Sequence, residues 1–145
     1  MDLESTLALE EDEPAVVAFL GENGGLLERD ENDKSRYWLT MRPRNAPEER
    51  FHPCLTWSTY PHHAPSVKFA DGVGGSLAAT KAWPMIDGYR PGSFDICRPF
   101  TAEGFALHPE WQNGTEAWQA TGNPFLWVVH VLQDHLDLKY QGRSA

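Results

Sequence analysis

The chain has 145 residues, with 21 Asp and Glu against 12 Lys and Arg, for a net charge of -9. That length suits one domain that buries about two-thirds of its unfolded surface without covalent staples. A disulfide framework is therefore unnecessary, and the only two cysteines, Cys54 and Cys97, lie in segments that read as separate elements. The acidic balance and the lack of any Lys/Arg cluster argue against nucleic acid as a partner. No apolar run approaches the roughly 20 residues that span a bilayer, and no secretory signal is evident, so a cytoplasmic protein with reduced thiols and no membrane contact is expected.

Taken in order, the chain opens on an acidic stretch (Asp2, Glu4, Glu10, Glu11, Asp12, Glu13) interleaved with Leu3, Leu7 and Leu9. Pro14 fits a helical first turn, where its missing N–H costs nothing. The pattern therefore predicts a helix from about residue 13 to 22, ended by Gly24-Gly25 and preceded by an acidic arm over about residues 1–12, either frayed or helical.

From Leu26 the apolar period changes to two. Strands are predicted at Leu26-Leu27-Glu28-Arg29, from Arg36 to Arg42, from Phe51 to Ser58, and at Ser66-Val67-Lys68-Phe69-Ala70, separated by turns rich in Pro, Asn and Asp. The result is a four-stranded antiparallel meander after one helix. Residues 71–82 are Gly-rich but lack the Gly-x-x-x-x-Gly-Lys-Ser/Thr spacing of a phosphate loop, and they read as a connection. Asn123-Pro124 starts a final helix, with Phe125, Val128, Val129, Leu132 and Leu136 at helical spacing, His130 and His135 on its surface or edge, and Gly142 as its stop.

Between these elements, Asp95 to Trp111 places a thiol (Cys97), a hydroxyl (Thr101), a carboxylate (Glu103) and an imidazole (His108) within twelve residues. Pro99, Gly104 and Pro109 interrupt it, which predicts a loop that displays these groups. From the residue types alone three readings stay open. Cys97 is a small buried hydrophobe, a nucleophile that carries a covalent acyl group, or one ligand of a metal. In the metal reading Cys97, Glu103, His108 and His63 (or His62) would hold zinc, without the paired Cys-x-x-Cys spacing that marks a strong zinc site.

Arg36 to Met41, the Pro43 turn, the strand from Phe51 to Ser58, and above all Tyr60-Pro61-His62-His63-Ala64-Pro65-Ser66-Val67-Lys68-Phe69 resemble the ubiquitin-conjugating enzyme family. Trp83-Pro84-Met85-Ile86 stands where that family has a His-Pro-Asn triplet, and Gly92 to Cys97 resembles its approach to the active-site cysteine. Cys97-x-Pro99-x-Thr101-x-Glu103 is similar to the bacterial branch, whose members are often associated with antiphage defence.

The resemblance implies an α+β fold with an N-terminal helix, a four-stranded meander, an active-site loop and a C-terminal helix. It also implies that Cys97 accepts a ubiquitin-like protein as a thioester from an activating enzyme and passes it to an amine. In that chemistry Thr101, Tyr89 and backbone N–H groups are candidates to hold the oxyanion, and Glu103 and His108 to move the proton. The expected site is thus Cys97, Thr101, Glu103 and His108, with no cofactor. A non-catalytic binding module of the same fold is the remaining alternative. The sequence departs from the pattern at Met85, whose thioether cannot donate a hydrogen bond where the family has Asn.

Overall fold

The computed structural model describes residues 1–145. Its first helix, α1, runs Leu3–Glu22, capped by the Asp2 carboxylate, which accepts from the Ser5 N–H at 2.7 Å. This corrects the expected start near Glu13: of the two forms expected for the acidic arm, it takes the helical one, continuous with the rest of α1. Ser5, Leu9, Val16 and Leu20 are buried along one stripe, so the acidic segment is a packed half of the helix. Two of its acids are anchors. Asp12 accepts from the Tyr60 hydroxyl and Glu13 from the Tyr37 hydroxyl at 3.0 Å. Pro14 lies inside the helix at an exposed position, so the hydrogen bond it cannot donate is lost away from the core.

The meander forms as its period-two pattern requires. Strands β1 (Leu26–Arg29), β2 (Arg36–Thr40), β3 (His52–Thr56) and β4 (Ser66–Ala70) pair in that order, all antiparallel. Alternate residues face the helices: Tyr37 and Leu39, then Leu55, then Val67 and Phe69 join the main core. The opposite face carries a small second cluster of Trp38, Cys54 and Ala70, roofed by Leu77 from the Gly-rich connection.

Helix α3 (Pro124–Leu138) starts at its Asn123 cap as predicted, the side chain accepting from the Leu126 N–H at 2.9 Å. Phe125, Val128, Val129, Leu132 and Leu136 are buried against the sheet and α1, with the Phe125 ring edge-on to Tyr37 at 4.8 Å and to Trp57 at 5.5 Å. Gly142 does not end this helix, which stops at Leu138. The tail beyond it runs antiparallel to residues 83–85. Met85 N–H donates to the Gly142 carbonyl at 2.7 Å, and Gln141 N–H to the Met85 carbonyl at 2.9 Å. No helix is long and apolar enough to cross a membrane.

Two elements between the sheet and α3 carry the candidate site. A short hairpin, β5 (Tyr89–Arg90) and β6 (Asp95–Ile96), is followed by a six-residue helix, α2 (Ala102–Leu107), which contacts both β4 and β6. The stretch read as one displaying loop is therefore a strand, a tight turn and a helix.

Candidate functional site around Cys97

Cys97 follows β6 directly. Its N–H donates to the Gly88 carbonyl at 2.8 Å, which extends the Tyr89–Ile96 and Arg90–Asp95 pairs by one step and places Cys97 across from a glycine. Because Tyr89 and Ile96 are buried in the core, strand alternation puts Arg90, Asp95 and Cys97 on the other face of the hairpin. The thiol is free and half-buried. Cys54 differs: it is buried at 3% exposure, and desolvation pushes its thiol up to about 11.

Thr101 belongs to the scaffold of this site. It is fully buried, and its hydroxyl donates to the Ile96 carbonyl at 2.6 Å while accepting from the Gly104 N–H at 2.9 Å as the cap of α2. With both functions of the hydroxyl engaged, it is not free to meet an oxyanion. Thr101→Val keeps the shape and removes both bonds. It is expected to cost about 1–2 kcal/mol, read as a lower denaturant midpoint with an unchanged slope.

Glu103 is likewise turned inward. Ser66 donates its hydroxyl to one carboxylate oxygen, Val67 N–H donates to the other at 3.2 Å, and Lys68 Nζ stands 4.0 Å away. These bonds fasten α2 to the start of β4, together with Ala102 N–H donating to the Pro65 carbonyl at 2.8 Å.

His108 ends α2 and stacks on Trp111 at 4.4 Å between ring centres, with Nδ1 3.0 Å from a Glu110 oxygen. It makes no hydrogen bond to Cys97. Its neighbours are those of the short 3₁₀ turn over Pro109–Asn113.

The zinc reading is corrected by the same geometry. No three His, Cys, Asp or Glu side chains are gathered closely enough to hold a metal ion. Glu103 is committed to β4, His108 pairs with Glu110, and His63 is exposed.

Tyr89 is buried, and its hydroxyl lies 2.7 Å from His135 Nδ1. Burial raises the Tyr89 phenol and lowers His135 to about 4, with the positive charges of Arg98 and Lys139 adding to the second effect. His135 is therefore a neutral acceptor for the Tyr89 O–H. It lies half-buried at the edge of α3, tied to Tyr89 rather than free in solvent. The pair tethers β5 to α3 directly behind the thiol strand.

Two arginines frame the turn. Arg98 donates Nε and one Nη to the Asp87 carbonyl at 3.1 and 2.9 Å, bracing the segment before β5. Arg90 and Asp95 form a two-pronged pair across the hairpin, at 2.7 and 2.8 Å. The sequence signal available here was Pro91-Gly92, a turn dipeptide between the two charges.

No protein-family model, curated protein or solved structure matches the chain.

Proposed function

We propose that this protein is a ubiquitin-conjugating-like acyltransferase, in which Cys97 takes the C-terminal acyl group of a ubiquitin-like protein from an activating enzyme and gives it to an amine. The observation that carries the reading is the setting of Cys97: a free, half-buried thiol at the end of a pinned strand, on the face opposite the core. Exchange between thioesters needs a thiolate and an approachable backbone, since sulfur both attacks and leaves well. A pinned strand end on the face away from the core leaves the sulfur approachable.

The order of elements also supports it. A helix, an antiparallel meander, a thiol-bearing segment and a helix across the sheet follow one another as the resemblance implies for a ubiquitin-conjugating fold. Thr101 and Glu103 then serve as the scaffold that fixes the thiol segment to the sheet. Their inward bonds leave the chemistry to Cys97 and the groups on its own face.

The test is a loading reaction with the cognate activating enzyme, ubiquitin-like protein and ATP, resolved on a non-reducing gel. Wild type is expected to give a thiol-sensitive adduct, and Cys97→Ser either a thiol-resistant ester or no adduct. An activating enzyme that charges itself but never transfers to wild type would refute the reading.

One observation favours the second reading, a binding module of the same fold without transfer. Met85 stands where the resemblance expects an amide donor, and its side chain is 44% exposed. On that reading Cys97→Ala would leave the biological activity intact.

A further inference from the structure

Transfer from a thioester to an amine passes through a tetrahedral oxyanion, and a donor must meet it. The side chains expected to do so are engaged elsewhere: the Thr101 hydroxyl with Ile96 and Gly104, and the Tyr89 hydroxyl with His135. Lys68 Nζ donates to the Phe94 carbonyl at 2.6 Å, and the Arg98 guanidinium is turned to the Asp87 carbonyl. Met85 offers no donor on its side chain.

Arg90 is different. Its Nε and Nη2 are held by the two oxygens of Asp95, while Nη1 makes no hydrogen bond in the chain and the side chain is 43% exposed. The β5–β6 register puts Arg90 diagonally across from Cys97 on the hairpin face away from the core, a relation that long side chains bridge. We infer that Arg90 is a catalytic residue of the proposed acyl transfer, its Nη1 donating to the oxyanion that forms on the Cys97 thioester, an inference that rests on the thioester reading.

Electrostatics agree with that placement. Arg90 is held above its ordinary value first by the hydrogen bonds it donates to Asp95, with the Asp95 charge and then Cys97 as smaller causes. Asp95, with a side chain only 14% exposed, fixes the plane of the guanidinium, so a free Nη1 is presented with little entropy left to lose.

In the step itself the amine nitrogen attacks the thioester carbonyl carbon. A C–N bond forms and the carbonyl π pair moves to oxygen, where Nη1–H meets the new charge. Collapse restores the C=O and breaks the C–S bond, and Cys97 leaves as thiolate while the amine proton passes to solvent. Arg90 ends the step unchanged.

The test uses the full chain and a synthetic peptide thioester ending in Gly-Gly, whose acyl group moves to Cys97 by exchange and is followed by intact mass. Discharge is then timed with free lysine and, separately, with hydroxylamine. Arg90→Met is expected to load to the wild-type end point and melt at the wild-type temperature, yet to discharge about 100-fold more slowly to both nucleophiles. Arg90→Lys, which keeps the charge but cannot hold the two-pronged pair, is expected to fall between the two.

A methionine variant that discharges at the wild-type rate overturns the inference and leaves the thioester reading standing. A loss confined to lysine also overturns it, because that would mark an acceptor-binding residue. If Arg90→Met does not fold, an Arg90→Lys rate equal to wild type overturns the inference, and a reduced rate with both nucleophiles supports it. Failure of wild type to acquire the acyl group at Cys97 removes the thioester reading, and the inference falls with it.

Discussion

Gly104→Ala is expected to lower stability by about 3 kcal/mol and to loosen the thiol segment along with it. Gly104 sits in the first turn of α2, where its N–H meets the Thr101 hydroxyl. A Cβ there would lie 2.0 Å from the Arg98 carbonyl oxygen and 2.9 Å from its carbon and nitrogen. Those are backbone atoms of the residue next to Cys97, so no side-chain rotation relieves the clash. Either α2 lifts away from the turn or the turn moves.

If α2 lifts, the Ser66–Glu103 bond, the Pro65–Ala102 bond and the Thr101 cap are all put at risk, because they share one rigid helix of six residues. If the turn moves, Cys97 leaves its position opposite Gly88. Thermal unfolding of Gly104→Ala should show the lower midpoint, and alkylation of Cys97 by a thiol reagent under native conditions should become faster. A variant with wild-type melting and wild-type alkylation would mean that the close approach of α2 to Arg98 is not a constraint on the site.

The same close approach explains why the sequence misled here. Pro99, Gly104 and Pro109 read as breakers, whereas Gly104 is the residue that lets a helix pack against the thiol turn. The usable signal was Thr101 followed by Glu103, a cap with an acid in the first turn. Helix α1 was misread for a related reason. Of the leucines interleaved with the acids, Leu3 and Leu7 are 72% and 55% exposed, and the buried positions are Ser5 and Leu9. What packs the acidic half is the pairing of Asp12 with Tyr60 and Glu13 with Tyr37, partners 48 and 24 residues away that no local pattern reveals.

Where one face is buried and the period is regular, reading from sequence works. The meander followed from alternation alone, and α3 from its cap and spacing. Cys97 stands out in the sequence because a thiol among turn residues is chemically conspicuous. The place of Arg90 is not legible in the sequence, since only the register sets it across from Asp95 and diagonal to the thiol.

The largest effect of pH should come from His135, which in an isolated α3 would have been a solvated side chain. Docking of the β5–β6 hairpin places Tyr89 and Phe100 against it, the latter at 5.7 Å between ring centres, and Arg98 and Lys139 add positive charge nearby. Its folded value falls to about 4 from an ordinary 6.5. The unfolded chain therefore binds more protons than the folded one between those two values, and stability must fall as pH drops through that window. Above pH 6.5 both states are neutral at this site and the effect vanishes. Below about 4 the loss is complete.

Because the imidazole is only partly screened from water, the loss is discounted from its full linkage value to about 2 kcal/mol. His52, lowered mainly by burial, adds in the same direction. His135→Gln retains an acceptor for the Tyr89 hydroxyl but cannot be protonated, so its acid limb should be flatter than that of wild type between pH 6.5 and 4, even if it is somewhat less stable at pH 7.5. Denaturant midpoints at half-unit pH steps would decide it. Parallel acid limbs for the two proteins would show that the charge on His135 does not control the docking of the thiol hairpin, whereas convergence at low pH would tie the integrity of the Cys97 face to one half-buried, neutral imidazole.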